Sequence, residues 1–266
     1  MTPDTSGPGE GEKEGLAEGS LVSHLVELRN RLLKAAAAVL IIFICLVPFS
    51  ETIFTLIATP LMDKLPEGAT MIATQVASPF LTPFKMTLFV ALFLAMPVVL
   101  TQVWHFVAPG LYLKEKRFAF PLLLSSIALF YAGVSFAYFV VFPLMFAFFA
   151  AVAPEGVTMM TDISSYLDFI LALFFAFGVA FEVPIATVML VWSGLVPLQT
   201  LGRARAYVFL GAFVMGMLLT PPDIISQTLL AVPVYLLYEI GLLMARLFGP
   251  EASKSADTDE TDDAAE

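Results

Sequence analysis

Charge is scarce in this 266-residue chain, because only 14% of its residues are Asp, Glu, Lys or Arg while 59% are apolar. Soluble domains are roughly 25% charged and about half apolar, so a water-soluble globular fold is excluded. A single cysteine, Cys45, cannot form an internal disulfide. Two histidines are too few for a histidine metal cluster, and no motif indicates a serine hydrolase or a phosphate-binding loop. We therefore expect no enzyme activity, no metal and no cofactor.

The acidic residues are concentrated at the two ends of the chain. Of the 23 Asp and Glu residues, five lie in positions 1–18 and seven in 251–266, so the formal net charge of −10 belongs to the tails. Both ends lack an apolar run, and their composition is typical of disorder. We predict disordered acidic tails over 1–19 and 249–266, with a transmembrane domain over 20–248 between them. A nucleic-acid partner is not expected.

Charged residues divide the apolar body into segments that are long enough to cross a membrane. Their order predicts an all-α integral membrane protein with six transmembrane helices. The six apolar segments are 35–50, 86–113, 118–154, 166–192, 206–222 and 224–238.

The last two of these segments are short. They contain 17 and 15 residues between charged positions. As helices they reach only about 26 and 22 Å, whereas the hydrocarbon core of a bilayer is about 30 Å thick. Either they re-enter the membrane without crossing it, or the bilayer is thinner around them. We favour thinning, because Arg246 closes the sixth segment at the far side of the membrane.

The distribution of lysine and arginine predicts the orientation of the spans. With six spans, both termini lie on one side of the membrane together with the second and fourth loops. Of the 13 basic residues, 11 fall on that side, and only Lys64 and Lys85 fall on the other. The positive-inside rule then places both termini in the cytoplasm.

Two carboxylates at the ends of spans are candidates for ligand binding. Glu27 lies four residues before Arg31, which is the favourable spacing for an ion pair on a helix surface. Glu115 stands among three cations in the loop after the second span. Taken alone, an amphipathic entry helix and charge relief in a basic loop explain both residues. Two carboxylates on one membrane face also suit a guanidinium ligand, which binds a carboxylate bidentately.

Ionisable residues also occur inside the predicted spans. Glu182 lies in the middle of the fourth span, where such a residue favours a functional role. In the structural alternative, Pro184 frees backbone carbonyls to which the Glu182 side chain bonds. Glu239 is a second buried acid, near the cytoplasmic half of the last span. Asp223 follows two prolines and is positioned either to cap the last helix or to take part in a functional site.

Five longer motifs carry a family resemblance. They are His24-Leu-Val-Glu27-Leu-Arg29, Ile72-Ala-Thr-Gln-Val-Ala-Ser-Pro79-Phe, Trp104-His-Phe-Val-Ala-Pro109-Gly-Leu-Tyr-Leu-Lys-Glu115-Lys-Arg117, Phe181-Glu-Val-Pro184 and Thr220-Pro-Pro-Asp223-Ile-Ile-Ser-Gln227-Thr. In this order and spacing they resemble the TatC subunit of the twin-arginine protein translocase. The resemblance covers about residues 20–248 and leaves out only the two tails.

The resemblance implies a receptor and core subunit of that translocase, folded as a curved wall with a concave groove into which Glu182 projects. Signal peptides with paired arginines would bind at the cytoplasmic face of the bacterial inner membrane. Single-span TatA and TatB subunits would dock along the fifth and sixth spans, and other TatC copies and the lipid bilayer are further partners. The implied site residues are, for the signal peptide, Glu27, Arg29, Phe106, Leu111 and Glu115; for partner docking, Met217, Thr220, Asp223 and Gln227; and for structure, Pro60, Pro109, Pro184, Pro221 and Pro222.

The size of six helices supports a role that depends on partners. Helices about 10 Å across, even in a ring, enclose a hole about one helix wide, and a folded 100-residue domain has a radius of gyration of about 13 Å. If the cargo is folded and the proton gradient drives its export, the chain is a receptor and assembly platform. The alternative is a proton-coupled secondary transporter of a small solute, with Glu182 and Glu239 as relay sites. Such a transporter would bind its solute near the middle of the membrane.

Overall fold

The computed structural model describes residues 10–62, 70–107, 116–152, 160–219 and 223–248. These residues are almost entirely helical, because an apolar run in a membrane must satisfy its backbone N–H and C=O groups within the segment. Their elements are α1 Glu10–Leu46, α2 Ser50–Met62, β1 Thr70–Ile72, α3 Ser78–Val107, α4 Lys116–Phe136, α5 Phe142–Val152, β2 Met160–Asp162, α6 Ile163–Ala180, α7 Val183–Trp192, α8 Leu198–Arg203, α9 Arg205–Leu219 and α10 Ile224–Phe248. A short 3₁₀ turn joins α1 to α2, and a π-helical turn joins α4 to α5.

Within this described part of the chain, five helical stretches are long and apolar enough to cross a membrane. They are Leu25–Ile57, Ser78–Phe106, Phe120–Phe149, Ile163–Trp192 and Ile224–Leu247. The first four overlap the first four predicted segments and the last overlaps the sixth. Between them, α9 has only 15 residues, about 22 Å, and is short as predicted. Whether it completes a sixth crossing stays a prediction.

The last helix is not short, so this part of the fold prediction is wrong. α10 has 25 residues and a length of about 37 Å. The count of 15 residues stopped at Glu239, but the helix continues through this residue and past Arg246, which was expected to close the segment. Arg205 at the start of α9 forms an ion pair with the carboxylate of Glu239. A neutralised charge therefore does not end a span here.

The first helix also extends beyond its predicted span. α1 begins at Glu10, inside the segment 1–19 for which disorder is predicted, and continues without a break to Leu46. Residue 19 is therefore not a helix boundary. Residues 1–9 and the predicted C-terminal tail, 249–266, lie outside the described residues.

The third and fourth spans pack against each other most closely at two glycines. A Cβ atom on Gly133 would lie 2.4 Å from the carbonyl oxygen of Phe177, and one on Gly178 would lie 2.5 Å from the ring of Phe130. Small residues allow helix backbones in membranes to approach in this way. The ring of buried Phe130 therefore fills the space beside Gly178, and the backbone of Phe177 fills the space beside Gly133.

The outer helices have fewer buried faces. α1 packs mainly along α3, and α9 packs along α10. Only 6% of the residues in the most apolar part of the first span are buried, compared with 44% in that of the fourth span. The fourth span is therefore the centre of the fold, and the first offers most of its surface to lipid or to other proteins.

The two predicted extracytoplasmic loops are joined by strands that the sequence analysis did not predict. β1 pairs with β2 in parallel, with Ile72 opposite Asp162. Close by, the Nζ atom of Lys85 in α3 lies 2.6 Å from a carboxylate oxygen of Asp168 in α6. The strand pair and the ion pair connect the beginnings of α3 and α6.

Asp162 is the main polar link in this region. Its Oδ2 atom accepts hydrogen bonds from the backbone N–H and the hydroxyl group of Thr74, at 2.9 and 2.6 Å. Its Oδ1 atom accepts from the backbone N–H groups of Ser164 and Ser165 and so caps α6. The hydrogen bonds from Thr74, with those from Ser165, hold the pKa of the Asp162 carboxyl well below its ordinary value.

Candidate functional sites

The first candidate site is the carboxylate of Glu27 on α1. Arg31 donates to its Oε1 atom from Nη2 at 2.5 Å and from Nε at 3.0 Å, which confirms the predicted ion pair. The side chain of Glu27 is 42% exposed. Its second oxygen, Oε2, accepts no hydrogen bond from any residue within the described ranges. The site therefore combines a fixed carboxylate with an oxygen that is open to a further donor.

Two other residues predicted for signal-peptide binding are described. Arg29 is exposed on the same helix as Glu27. Phe106 is half-buried in the last turn of α3, the helix against which α1 packs. The pairing of Glu27 with Glu115 stays a prediction, because Glu115 is outside the described residues.

The second candidate site is Glu182, which lies where the fourth span is interrupted. Pro184 is the second residue of α7 and has no N–H group for the helical ladder, so Phe181 and Glu182 form a turn between α6 and α7. The predicted position of Glu182 in the middle of an apolar span is confirmed. Because of this break, Glu182 lies at the junction of two helices and not within a regular helix.

The partner of Glu182 is a hydroxyl group on another helix. Ser126 on α4 donates to Oε2 of Glu182 at 2.5 Å, and Trp104 on α3 donates from Nε1 to the Ser126 hydroxyl oxygen at 2.8 Å. The alternative in which Glu182 bonds to carbonyls freed by Pro184 is therefore wrong. Sequence reasoning missed both partners, although a serine and a tryptophan in apolar spans each need a hydrogen-bond partner when buried.

Glu182 also borders a pocket of about 230 Å³, whose apolar walls include Leu100, Met189 and Leu190. Its Oε1 atom is buried and accepts no hydrogen bond within the described part of the chain. A pocket with apolar walls and a polar group at its border is typical of small binding sites. The geometry therefore supports Glu182 as a candidate intramembrane polar site.

The third polar group is the ion pair between Arg205 and Glu239. Nη2 of Arg205 donates to Oε2 at 2.9 Å, Nε lies 2.8 Å from Oε1, and the hydroxyl group of Tyr235 donates to Oε1 at 2.8 Å. Glu239 was predicted to be buried, but its side chain is 31% exposed. The two charged partners are 34 residues apart, so no local spacing indicates the pair.

The predicted docking region for partners lies at the junction of α9 and α10. Asp223 caps α10, because its Oδ1 atom accepts from the backbone N–H of Ser226 at 2.7 Å. This confirms the capping role that was one of its two predicted roles. Gln227 is half-buried, and its carbonyl oxygen would lie only 3.3 Å from a Cβ atom on Gly216 of α9. Met217, which follows Gly216 in α9, is 52% exposed.

The remaining predicted residues divide into two groups. Pro184 is buried in α7, and Pro60 lies within α2. Outside the described residues are Pro109, Leu111, Glu115, Thr220, Pro221 and Pro222. Within the described ranges, no group of three or more His, Cys, Asp or Glu residues is arranged to hold a metal ion.

These features define a multi-pass helical membrane protein whose embedded carboxylates are held by partners on neighbouring helices. The model of the family described as Sec-independent protein translocase protein (TatC) matches residues 23–233. The TatC protein of Azotobacter chroococcum mcd 1 is 63% identical over 238 residues, which cover 89% of this chain and 93% of that protein. The TatC protein of Escherichia coli strain K12 is 56% identical over 228 residues, 86% of this chain and 88% of that protein.

Solved structures agree with these relatives. A crystal structure described as the twin-arginine translocase receptor TatC matches with a TM-score of 0.75 and 38% identity, covering 84% of this chain and 98% of that one. The chain therefore belongs to the TatC family. Its apolar helices and its bacterial relatives make it a multi-pass protein of a bacterial membrane.

Proposed function

We propose that this chain is the receptor and core subunit of a twin-arginine translocase. In this role it binds twin-arginine signal peptides at its cytoplasmic face and recruits single-span TatA- and TatB-type subunits to export folded proteins, using the proton gradient. Family membership over most of the chain supports the proposal. Six spans, cytoplasmic termini, a concave groove and assembly with further copies of the chain belong to the same proposal.

The observation that carries the proposal is the half-exposed carboxylate of Glu27. Arg31 holds Oε1, whereas Oε2 accepts nothing from the described residues. An incoming guanidinium group would bind Oε2 and compete with Arg31 for Oε1, because a planar fork matches both oxygens of a carboxylate. A lysine ammonium lacks this fork, so paired arginines are preferred.

The rest of the proposed receptor surface consists of residues that the family resemblance implies. Glu115 supplies the second carboxylate, Phe106 and Leu111 supply apolar contacts, and Arg29 lies at the edge. The support for Phe106 is its place at the end of α3, beside the helix that carries Glu27.

Partner subunits are proposed to dock where α9 meets α10. The exposed side chain of Met217 is the apolar contact there, and Thr220, Asp223 and Gln227 supply polar groups. Glu182 is proposed as the polar site that faces the groove. The short α9 supports local thinning of the bilayer at this docking surface.

The proposal is tested by measuring the binding of a labelled signal peptide to the purified protein in detergent. We expect Glu27→Gln to weaken binding of the Arg-Arg peptide about tenfold, since one charge-assisted interaction is lost. The matched control is Glu51→Gln, an exposed carboxylate in the first turn of α2, which should leave the affinity unchanged. A Lys-Lys peptide should bind the unmodified protein more weakly than the Arg-Arg peptide.

Arg31→Gln sharpens this test, because it removes the internal competitor for Glu27 without removing the carboxylate. A helix-surface pair contributes about 0.3–0.5 kcal/mol, so affinity for the Arg-Arg peptide should rise about twofold. Equal binding by the unmodified protein, Glu27→Gln and Glu51→Gln would mean that Glu27 is only a helix-end charge.

A proton-coupled transporter of a small solute has less support. Such a protein would use Glu182 and Glu239 as relay sites, but these residues border separate pockets. Glu239 is also held by Arg205 and Tyr235. An ion pair of this kind fixes the charge of the carboxylate instead of passing a proton along.

A further inference from the structure

A pocket of about 410 Å³ lies between the beginning of α9 and the end of α10. Arg205, Glu239 and Arg246 border it, and two cations with one anion give these groups a net formal charge of +1. The site is therefore electrostatically suited to an anion.

Donors remain available in this pocket. Arg205 directs Nε and Nη2 towards Glu239, which leaves the two N–H groups of Nη1 for another acceptor. Arg246 is exposed and has no hydrogen bond or ion pair with any residue that the structure describes. Phosphate oxygens are the acceptors that guanidinium groups bind best, in a bidentate geometry.

One wall of the pocket is apolar. Leu236, Ile240 and Leu243 border it, and their spacing of four and three residues places them on one face of α10. Their exposed fractions are 54%, 48% and 56%. Leu236 lies nearer the middle of the span than Arg246, so the apolar stripe leads from the arginines into the membrane.

We propose that this pocket binds an anionic phospholipid. The phosphate group lies between Arg205 and Arg246, and an acyl chain lies along Leu236, Ile240 and Leu243. A zwitterionic lipid would bring its own cation next to two arginines, so charge complementarity favours an anionic headgroup. The proposal goes beyond signal-peptide binding and does not depend on it, because the pocket shares no residue with the site at Glu27.

The test uses the full chain in detergent micelles that contain equal amounts of phosphatidylglycerol and phosphatidylcholine, with bound lipids counted by native mass spectrometry. We expect the unmodified protein to retain phosphatidylglycerol selectively. Arg246→Gln should lower the apparent affinity about tenfold, the loss expected for one charge-assisted contact. Arg203→Gln is the matched control, because Arg203 is also exposed and basic near the same helix ends but does not border the pocket.

Two further arms distinguish a lipid from a free anion. Ile240→Ser should reduce retention of the lipid, because it interrupts the apolar stripe, without removing a charge. Inorganic phosphate at equal concentration should displace little phosphatidylglycerol, because it has no acyl chain. The proposal is overturned if Arg246→Gln retains as much phosphatidylglycerol as Arg203→Gln, and the lipid is excluded as ligand if inorganic phosphate displaces it fully.

Discussion

Glu182 and Glu239 are both acidic side chains in apolar helical segments, but their carboxyl groups have different partners. Glu182 lies at a break in the fourth span and accepts a hydrogen bond from the neutral hydroxyl group of Ser126. Glu239 lies in the uninterrupted α10 and is held by the guanidinium group of Arg205. The carboxyl group of Glu182 therefore has a neutral partner, whereas that of Glu239 has a cationic partner.

The difference follows from depth in the protein. Ser126 is fully buried, whereas the side chains of Arg205 and Glu239 are 43% and 31% exposed. Bringing a cation into the interior carries a large desolvation cost, but near a helix end an arginine keeps part of its hydration. An acidic residue in an apolar sequence therefore does not by itself indicate a helix end or one kind of site. The environment of such a residue depends on the partner that the fold brings to it.

The largest effect is expected from Glu182→Lys. A cation would replace the carboxyl group between Ser126 and an apolar pocket, at a cost of about 3 kcal/mol. Glu182→Gln should stay close to the unmodified protein, because it hydrogen-bonds without charge, and Glu182→Ala should lie between the two. Thermal unfolding in detergent and export of a folded reporter protein measure the series. Equal performance of the Lys and Gln variants would show that a neutral partner is not required.

Ser126→Ala should destabilise the protein by about 2 kcal/mol. The change leaves Nε1 of Trp104 without its acceptor and Glu182 without its donor, both inside the protein. The neighbouring Ser125 is exposed and bonds only to the carbonyl of Pro121 in its own helix. Ser125→Ala is therefore the matched control, with an expected change below about 0.5 kcal/mol. Similar melting temperatures for the two variants would contradict the proposed link between helices.

Arg205→Gln should have a smaller effect, about 1 kcal/mol, because both partners of its ion pair are partly exposed. The loss arises from leaving the carboxylate of Glu239 without its cation. The double variant Arg205→Gln with Glu239→Gln should recover most of this loss, since no charge is then unpaired. If the double variant is less stable than the single one, the pairing is not what allows α10 to continue through Glu239.

Asp162 provides a carboxylate outside the apolar spans for comparison, and its effect should be visible mainly through pH. Because its pKa is lowered in the folded protein, its hydrogen bonds stabilise the fold above the ordinary aspartate pKa of about 4. This contribution is lost as the pH falls through the lower value of the folded state. The difference in melting temperature between the unmodified protein and Asp162→Asn should thus be largest near pH 6 and shrink towards pH 3. A constant difference would contradict the lowered pKa.

Local pairings were predictable from the sequence. The ion pair of Glu27 with Arg31 and the cap that Asp223 forms on α10 both join residues within one helical turn of each other. Their geometry follows from the helix itself, so a spacing of three or four residues is sufficient evidence. The positions of the first four spans were also predictable, because apolar length alone determines them.

Pairings between segments that are distant in the sequence were not predictable. Ser126 and Glu182 are 56 residues apart, and Thr74 and Asp162 are 88 apart. Such contacts depend on which helices pack together and at what rotation, and a single sequence does not contain that information. For the same reason the length of α10 was underestimated, since the countercharge of Glu239 comes from another helix.

The β1–β2 strand pair and the Lys85–Asp168 ion pair fix α3 and α6 to each other at one end. β2 leads directly into α6, and Lys85 of α3 is bonded to Asp168 of α6 close to where both helices begin. In total α3 has 30 residues and is about 45 Å long, and most of it lies beyond this ion pair. Phe106 lies about 32 Å along the helix from Lys85, so a tilt of about 5° at this ion pair would displace it by about 3 Å. Small rearrangements near β1 and β2 would thus be felt at the opposite end of α3, where the signal peptide is proposed to bind.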